Sequence, residues 1–528
     1  MLKQILFEPT FNNVNAFLRS ISTTLSAWLV CWILIGSGSV LRAETLVIPE
    51  LNLERAICQA LGVSRDSLTR EIVGENLTSL DASSMEIRDL TGLEFATNLE
   101  TLVLRNNLVE DLSPLSSLAR LKKLDLTGNR IRNLGALIPL SGSKMRQEVA
   151  DLQLSIEKGK LPRPEKQELI IQMARIVERL QLGPWSLQEL NVSENRLLGL
   201  SGVEHLSDLV FLNASRNALI DLEGISKLKS LVTLYLQQNQ LGRIESFVDE
   251  NKNKTYDLGE PIDDQSGNGK RDTDPLQEIQ SLPRLSNLYL YDNLLSSFAS
   301  LKDLPNLKTF FASGNNIRDI TNLGSFPSLV RLSLSNNKIA DLSGLRNLSE
   351  LQQLFLVENR ISDIRPLQGL VKLKELQLQR NQVVNAKPIE SLIGLEVLSL
   401  SYNLIYKSGF FRDLSKIKRL SLSYNCLKVE DPNLINDIQR LKTGGALINL
   451  GKQRKRLIEA EMLSAFLSGY PDANQELGDY LSMNGYERFL DFIEDSKMGD
   501  AEKSASILSW YNALKRGKKL EELEFLAN

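Results

Sequence analysis

The sequence predicts an α/β fold: a solenoid in which short parallel strands stack coil upon coil. Three observations predict it. First, a 22-residue unit, Leu-x-x-Leu-x-Leu-x-x-Asn-x-(Leu/Ile/Val), recurs from Leu77, Leu99, Leu121, Leu187, Leu209, Leu231, Leu285, Leu307, Leu329, Leu351, Leu373, Leu395 and Ile417. Second, apolar and polar residues alternate within each unit, as where Ser333 separates Leu332 from Leu334, and this marks a half-buried strand. Third, an asparagine follows each strand, at 107, 129, 195, 217, 239, 293, 315, 337, 359, 381, 403 and 425. Only the first unit departs, with Met85 in that slot.

One such strand cannot bury its apolar face alone, so neighbouring coils must cover it. At about 4.8 Å per coil, thirteen coils extend on the order of 60 Å. The asparagine amide carries both donors and an acceptor, which suits it to satisfy backbone groups where the chain turns inward.

These repeats resemble the internalin-like leucine-rich repeats of bacteria, the 22-residue class. Leu108–Leu115 and Ile361–Leu367 carry its convex-side signature, and Ile48–Ile57 resembles its helical N-terminal cap. The resemblance covers about residues 46 to 455. It implies a curved right-handed solenoid with a concave parallel sheet that binds a protein or a glycan, and it implies no catalytic activity.

The expected organisation is a signal peptide at 1–43, a helical cap at 44–76, the solenoid at 77–428, a C-terminal cap at 429–456 and a helical region at 457–528. The leader has a short apolar run from Leu25 to Gly36, preceded by Lys3 and Arg19 and followed by small residues. Cleavage after Ala43 fits. Leu41 sits where a small residue is preferred, so an uncleaved membrane anchor is the alternative. No later apolar stretch is long enough to span a bilayer. The predicted location is therefore secreted or the cell envelope, whether periplasm or cell surface.

Net charge is −3, and about −5 once the leader is removed, so no strong basic field draws the chain to nucleic acid. The basic cluster Lys452, Arg454, Lys455 and Arg456 reads as a solvated turn. Cys58 and Cys426 fall at opposite ends of the solenoid and are expected to be free thiols.

Two insertions break the rhythm, at 143–186 and 247–277. The first reads as a helical hairpin divided at Pro162-Arg163-Pro164, with Leu169, Ile170, Met173, Ile176, Val177 and Leu180 on one face. That face is expected to lie on the solenoid's flank; a docking arm for a partner is the alternative. The second resembles an EF-hand-like calcium loop: Asp249, Asn251, Asn253, Asp257 and Glu260 supply side-chain oxygens and Thr255 a carbonyl. Lys254 occupies the turn position where glycine is usual, which counts against it. A weaker loop follows, with Asp264, Ser266, Asn268 and Asp272 around Gly269. Calcium is the one cofactor expected.

Strand residues beside the buried leucines face outward. There Phe211, Tyr235, Tyr289, Tyr291, Phe311 and Phe355 form an aromatic stripe with Arg331 nearby, and these are the candidate partner-binding residues. Arg380, Tyr402 and Tyr424 also point outward. Exposed aromatics suit protein interfaces and also stack on sugars, so a protein ligand leads and a glycan remains open.

No candidate catalytic group emerges. The one histidine, His205, lies in a convex segment; no Cys/His set suits zinc, and no phosphate-cradling glycine loop or Gly-x-Ser-x-Gly elbow occurs. The expectation is a non-catalytic secreted or surface protein. The alternatives are an intracellular scaffold resembling phosphatase-regulatory repeats, a glycan-binding envelope protein, and an envelope hydrolase on a repeat scaffold.

Overall fold

A computed structural model describes residues 45–453, except 142, 159–161, 182–186, 244–260, 263–273 and 303. The compact unit under discussion begins at Leu46. The leader, all six calcium-loop residues from Asp249 to Glu260, the second loop at 264–272 and the region 457–528 lie outside the described residues.

Among the described residues, fourteen strands of three residues each form one parallel sheet in sequence order. They are β1 (Ser79–Asp81), β2 (Thr101–Val103), β3 (Lys123–Asp125), β4 (Glu189–Asn191), β5 (Phe211–Asn213), β6 (Thr233–Tyr235), β7 (Asn287–Tyr289), β8 (Thr309–Phe311), β9 (Arg331–Ser333), β10 (Gln353–Phe355), β11 (Glu375–Gln377), β12 (Val397–Ser399), β13 (Arg419–Ser421) and β14 (Leu447–Asn449). The fold is a leucine-rich repeat solenoid. Its register is set by the middle residue, so Leu80 faces Leu102, Leu102 faces Leu124, and Leu124 faces Leu190. The pairing survives both insertions, since Leu234 still faces Leu288.

The middle leucines are fully buried, and each stabilises the coil by roughly 1.5–3 kcal/mol relative to exposure. β8 puts Phe310 in that place, and the larger ring packs edge-on against Phe298 and Phe326 at 5.1 and 6.5 Å. The return segments form short 3-10 turns such as Ser113–Ser117 and Arg365–Leu367. Gly344, in the turn Ser343–Leu345, is needed for close approach: a Cβ there would run into the Ile320 carbonyl oxygen.

The asparagines stitch coil to coil. Asn337 Nδ2 donates to Ala312 O of the preceding coil and to Leu334 O of its own, both at 3.0 Å, while its Oδ1 accepts from Ile317 N at 3.0 Å. The same set recurs at Asn129, Asn315 and Asn403. A group that bridges to the coil before it has nothing to reach in the first coil, which accounts for Met85.

The N-terminal end is covered by α1 (Leu51–Leu61) and α2 (Arg70–Asn76). α1 buries Leu53, Ala56 and Ile57, and Asn52 donates to Met85 O at 2.7 Å. At the other end α5 (Pro432–Thr443; the third and fourth helices are given below) starts from Asp431, whose carboxylate accepts from Asn433 N at 2.9 Å. It buries Leu434, Ile438 and Leu441, and β14 closes the sheet beyond it. Gln453 then takes the part of the ladder amide. Its Nε2 donates to Leu422 O at 2.8 Å and to Leu450 O, and its Oε1 accepts from Leu427 N at 3.2 Å.

The first insertion forms α3 (Ser143–Lys158) and α4 (Arg163–Gln181). Ile176 is buried against Ala119 of the solenoid, with Val149 and Leu152 beside them. The face read from the sequence needs one correction: Leu169, Met173 and Val177 are half-buried, but Ile170 is 43% exposed. At one residue's rotation from Leu169 it leaves the seam between the helices. The side chain of Leu180 lies outside the described residues.

Candidate interaction surface

Alternation along each strand turns the first and third residues away from the buried ladder, as the half-exposed, buried, half-exposed pattern of β5, β6, β7 and β10 records. Register then places third residues in one column: Tyr235, Tyr289, Phe311, Ser333 and Phe355. The rings pack on one another. Tyr235 and Tyr289 stack at 4.2 Å with 6° between their planes. Phe211 approaches Tyr235 at 5.6 Å, and Phe311 meets Tyr289 edge-on at 5.5 Å.

The four rings are half-buried, as are Tyr291 and Phe355. Burial pushes the Tyr235 hydroxyl above its ordinary pKa; its hydrogen bond to Tyr289 and the nearness of Tyr289 and Tyr291 act in the same direction, while Arg331 opposes them. Arg331 is exposed and leans on buried Thr309, donating to its Oγ1 at 2.9 and 3.2 Å. The structure thus joins Phe211, Tyr235, Tyr289 and Phe311 into one ladder, with Tyr291 and Arg331 beside it. Phe355 stands apart, across Ser333, whose hydroxyl bonds that of Ser313 at 2.7 Å. Thr309 as the seat for Arg331 escaped the sequence reading; the signal was its place on the strand before, directly opposite Arg331.

Earlier coils carry polar groups in the same column, and these bond within the chain. Asp125 is 3% exposed; it accepts from Arg105 at 2.7 Å and from the Thr127 hydroxyl at 2.6 Å. The Asn191 and Asn213 oxygens accept from Ser193 and Ser215.

Among the described residues no group of three or more His, Cys, Asp or Glu could hold a metal ion, and no helix is long and apolar enough to cross a membrane. His205 Nε2 lies 3.4 Å from Glu204 Oε1. No disulfide joins Cys58 and Cys426, and burial, with Glu54 acting in the same direction, pushes the Cys58 thiol above its usual range.

A coiled stack of strands with aromatic rings on its outward sheet face defines the class of repeat scaffold. Two stretches, residues 97–139 and 305–347, match the family model described as Leucine Rich repeats (2 copies). Among solved structures, an internalin of Listeria monocytogenes is similar, with 20% identity over 80% of this chain and 95% of the other, at a TM-score of 0.52. A leucine-rich repeat protein of Leptospira interrogans is similar at 22% identity, over 72% of this chain and 80% of the other, with a TM-score of 0.51. The fold is therefore that of the internalin-like leucine-rich repeat proteins. No curated protein matches the chain.

Proposed function

We propose that the protein is a non-catalytic binding scaffold that takes a protein partner on the outward face of its sheet, through Phe211, Tyr235, Tyr289, Tyr291, Phe311, Arg331 and Phe355. The observation that carries this reading is the ladder of four rings on four successive strands, where the fold needs no aromatic residue. Tyrosine and arginine at the centre of a contact are the usual anchors of protein interfaces. The same geometry favours a protein over a glycan. A sugar stacks on an open ring face, and at 4.2 Å Tyr235 and Tyr289 close one face of each other. What they offer outward is ring edges and hydroxyls, which suit side chains and backbone.

The test is capture of a partner by a photo-crosslinking residue placed at Tyr291, followed by titration against Tyr289→Ala with Phe311→Ala. Affinity should fall at least tenfold; unchanged affinity would place the site elsewhere. Export by the leader and calcium in the second insertion belong to the same reading and rest on sequence. N-terminal sequencing of envelope fractions tests the first, and titration calorimetry of the whole chain with calcium tests the second.

A further inference from the structure

We propose that the sheet face of the last coils, around Tyr402 and Tyr424, is a second docking site and that it takes an acidic segment of a protein partner. It stands on observations separate from the aromatic stripe.

The residue just before each ladder amide has a left-handed backbone, a conformation that glycine and asparagine adopt at least cost. Gly128, Gly314, Asn106 and Asn336 fill that slot in four other coils, and Glu194, Arg216, Gln238, Asp292 and Glu358 fill it in five more. Arg380, Tyr402 and Tyr424 fill it in three consecutive coils, at φ 55°, 59° and 56°. What sets these three apart is that two of them are aromatic and that all three lie against one another.

What they build is a wall. The two tyrosine rings stack at 4.3 Å with 10° between their planes, and the Arg380 guanidinium lies 5.2 Å from the Tyr402 ring centre. Lys452 follows Ser401 and Ser423 in the neighbouring column, since its carbonyl accepts from Tyr424 N at 2.7 Å as Ser423 O accepts from Tyr402 N, and it is exposed. Beside this wall lie three linked hydroxyls, of which Ser401 and Ser423 are buried and Ser421 reaches the sheet surface. Ser421, half-buried, bonds Ser401 at 2.8 Å, and Ser423 donates to Ser401 at 2.9 Å. A linked chain of hydroxyls is polarised and meets an incoming oxygen acceptor more strongly than a lone one.

Charge decides what comes to this face. Residues 372–453 hold thirteen Lys and Arg against seven Asp and Glu, whereas residues 45–104 hold four against ten. Arg419, on β13, is exposed on the same sheet face. Arg380 shares its charge with Glu358 at 3.3 Å, so Arg419 and Lys452 supply most of the attraction. Carboxylates on an extended polypeptide match the two exposed cations and the Ser421 hydroxyl. A flat membrane surface would meet the tyrosine wall first.

The test uses the full chain and a fluorescein-labelled deca-glutamate peptide, followed by anisotropy at low salt. Binding is expected, with affinity reduced at least tenfold in Arg419→Glu with Lys452→Glu and at least threefold in Tyr402→Ala with Tyr424→Ala. Tyr289→Ala with Phe311→Ala should leave it unchanged, which separates this site from the aromatic stripe. Thermal melts establish that each variant is folded; if the tyrosine pair unfolds, the exposed charge pair still decides. The proposal is overturned by absent binding, by equal binding of deca-lysine, or by full binding in folded Tyr402→Ala/Tyr424→Ala. It is also overturned if anionic vesicles or heparin bind and deca-glutamate does not.

Discussion

Two columns of residues run side by side through the same coils, and they obey different rules. The inward column of ladder amides is chemically uniform: asparagine in twelve coils, with Gln453 at the closing end. The outward column changes from Asp125 through Asn213 to Tyr289 and then Ser399. A position that must satisfy the same buried backbone groups in every coil admits one solution. A position that faces outward is free to vary, and where it is filled at a cost the fold does not require, its content reports on use.

That contrast can be broken by experiment. The largest effect belongs to the inward column. Asn337→Ala orphans Ile317 N and takes one of two donors from Ala312 O and from Leu334 O, which keep Asn315 and Asn359. At about 1–3 kcal/mol for the buried unpaired group and about 0.5–1.5 kcal/mol for each further bond lost, the loss should be about 4 kcal/mol. Denaturant melts should show it, together with a broadened transition, because each coil leans on its neighbours. Gly344→Ala should cost on the order of 2 kcal/mol in the same assay, through the clash with Ile320. In the outward column, Tyr289→Ala with Phe311→Ala should lower stability by only about 1 kcal/mol while costing at least about 1.4 kcal/mol of binding, the equivalent of tenfold. Comparable losses from both columns in the melts would erase the distinction.

Calcium offers a further test. If the second insertion binds it, free calcium at about 100 times Kd should stabilise the chain by about 2.7 kcal/mol, and Asp249→Ala should abolish the rise in melting temperature. No shift with calcium would remove the ion from the account.

The smallest effect concerns acid. Backbone and side-chain donors around Asp111, Asp363 and Asp431 hold their carboxyls below the ordinary aspartate range: the Ser113 hydroxyl for Asp111, Arg365 for Asp363, and Asn433 N followed by the Ser408 hydroxyl for Asp431. A folded-state pKa below the unfolded one gives stability that is present above the unfolded value, about 3.9, and is lost as pH falls through the folded value. Stability should therefore decline below about pH 4. Asp111→Asn with Asp431→Asn should shrink that decline, as melts at pH 3 and pH 6 would show.

The parts of the fold that repeat were legible in the sequence, because 22-residue spacing fixes which leucine faces which and where each amide falls. The end devices were not. Asn52 reaches Met85 from a helix outside the period, and Gln453 does an asparagine's work with a longer arm and no 22-residue spacing to announce it. Outward positions could be read as aromatic but not as stacked, since ring geometry depends on rotamers that spacing does not encode. Ile170 escaped because helical periodicity alone does not say where the seam between α3 and α4 runs.

Leu124 and Leu190 remain opposite each other although 66 residues separate them, three times the repeat length. The chain leaves the stack and re-enters it in step. Removing residues 143–186, which number 44, would bring Leu187 to the place where an ordinary coil begins. The hairpin is therefore detachable in principle, and a shortened chain should keep its spacing on either side of the cut. A protein built this way can acquire or shed appendages without renegotiating its interior.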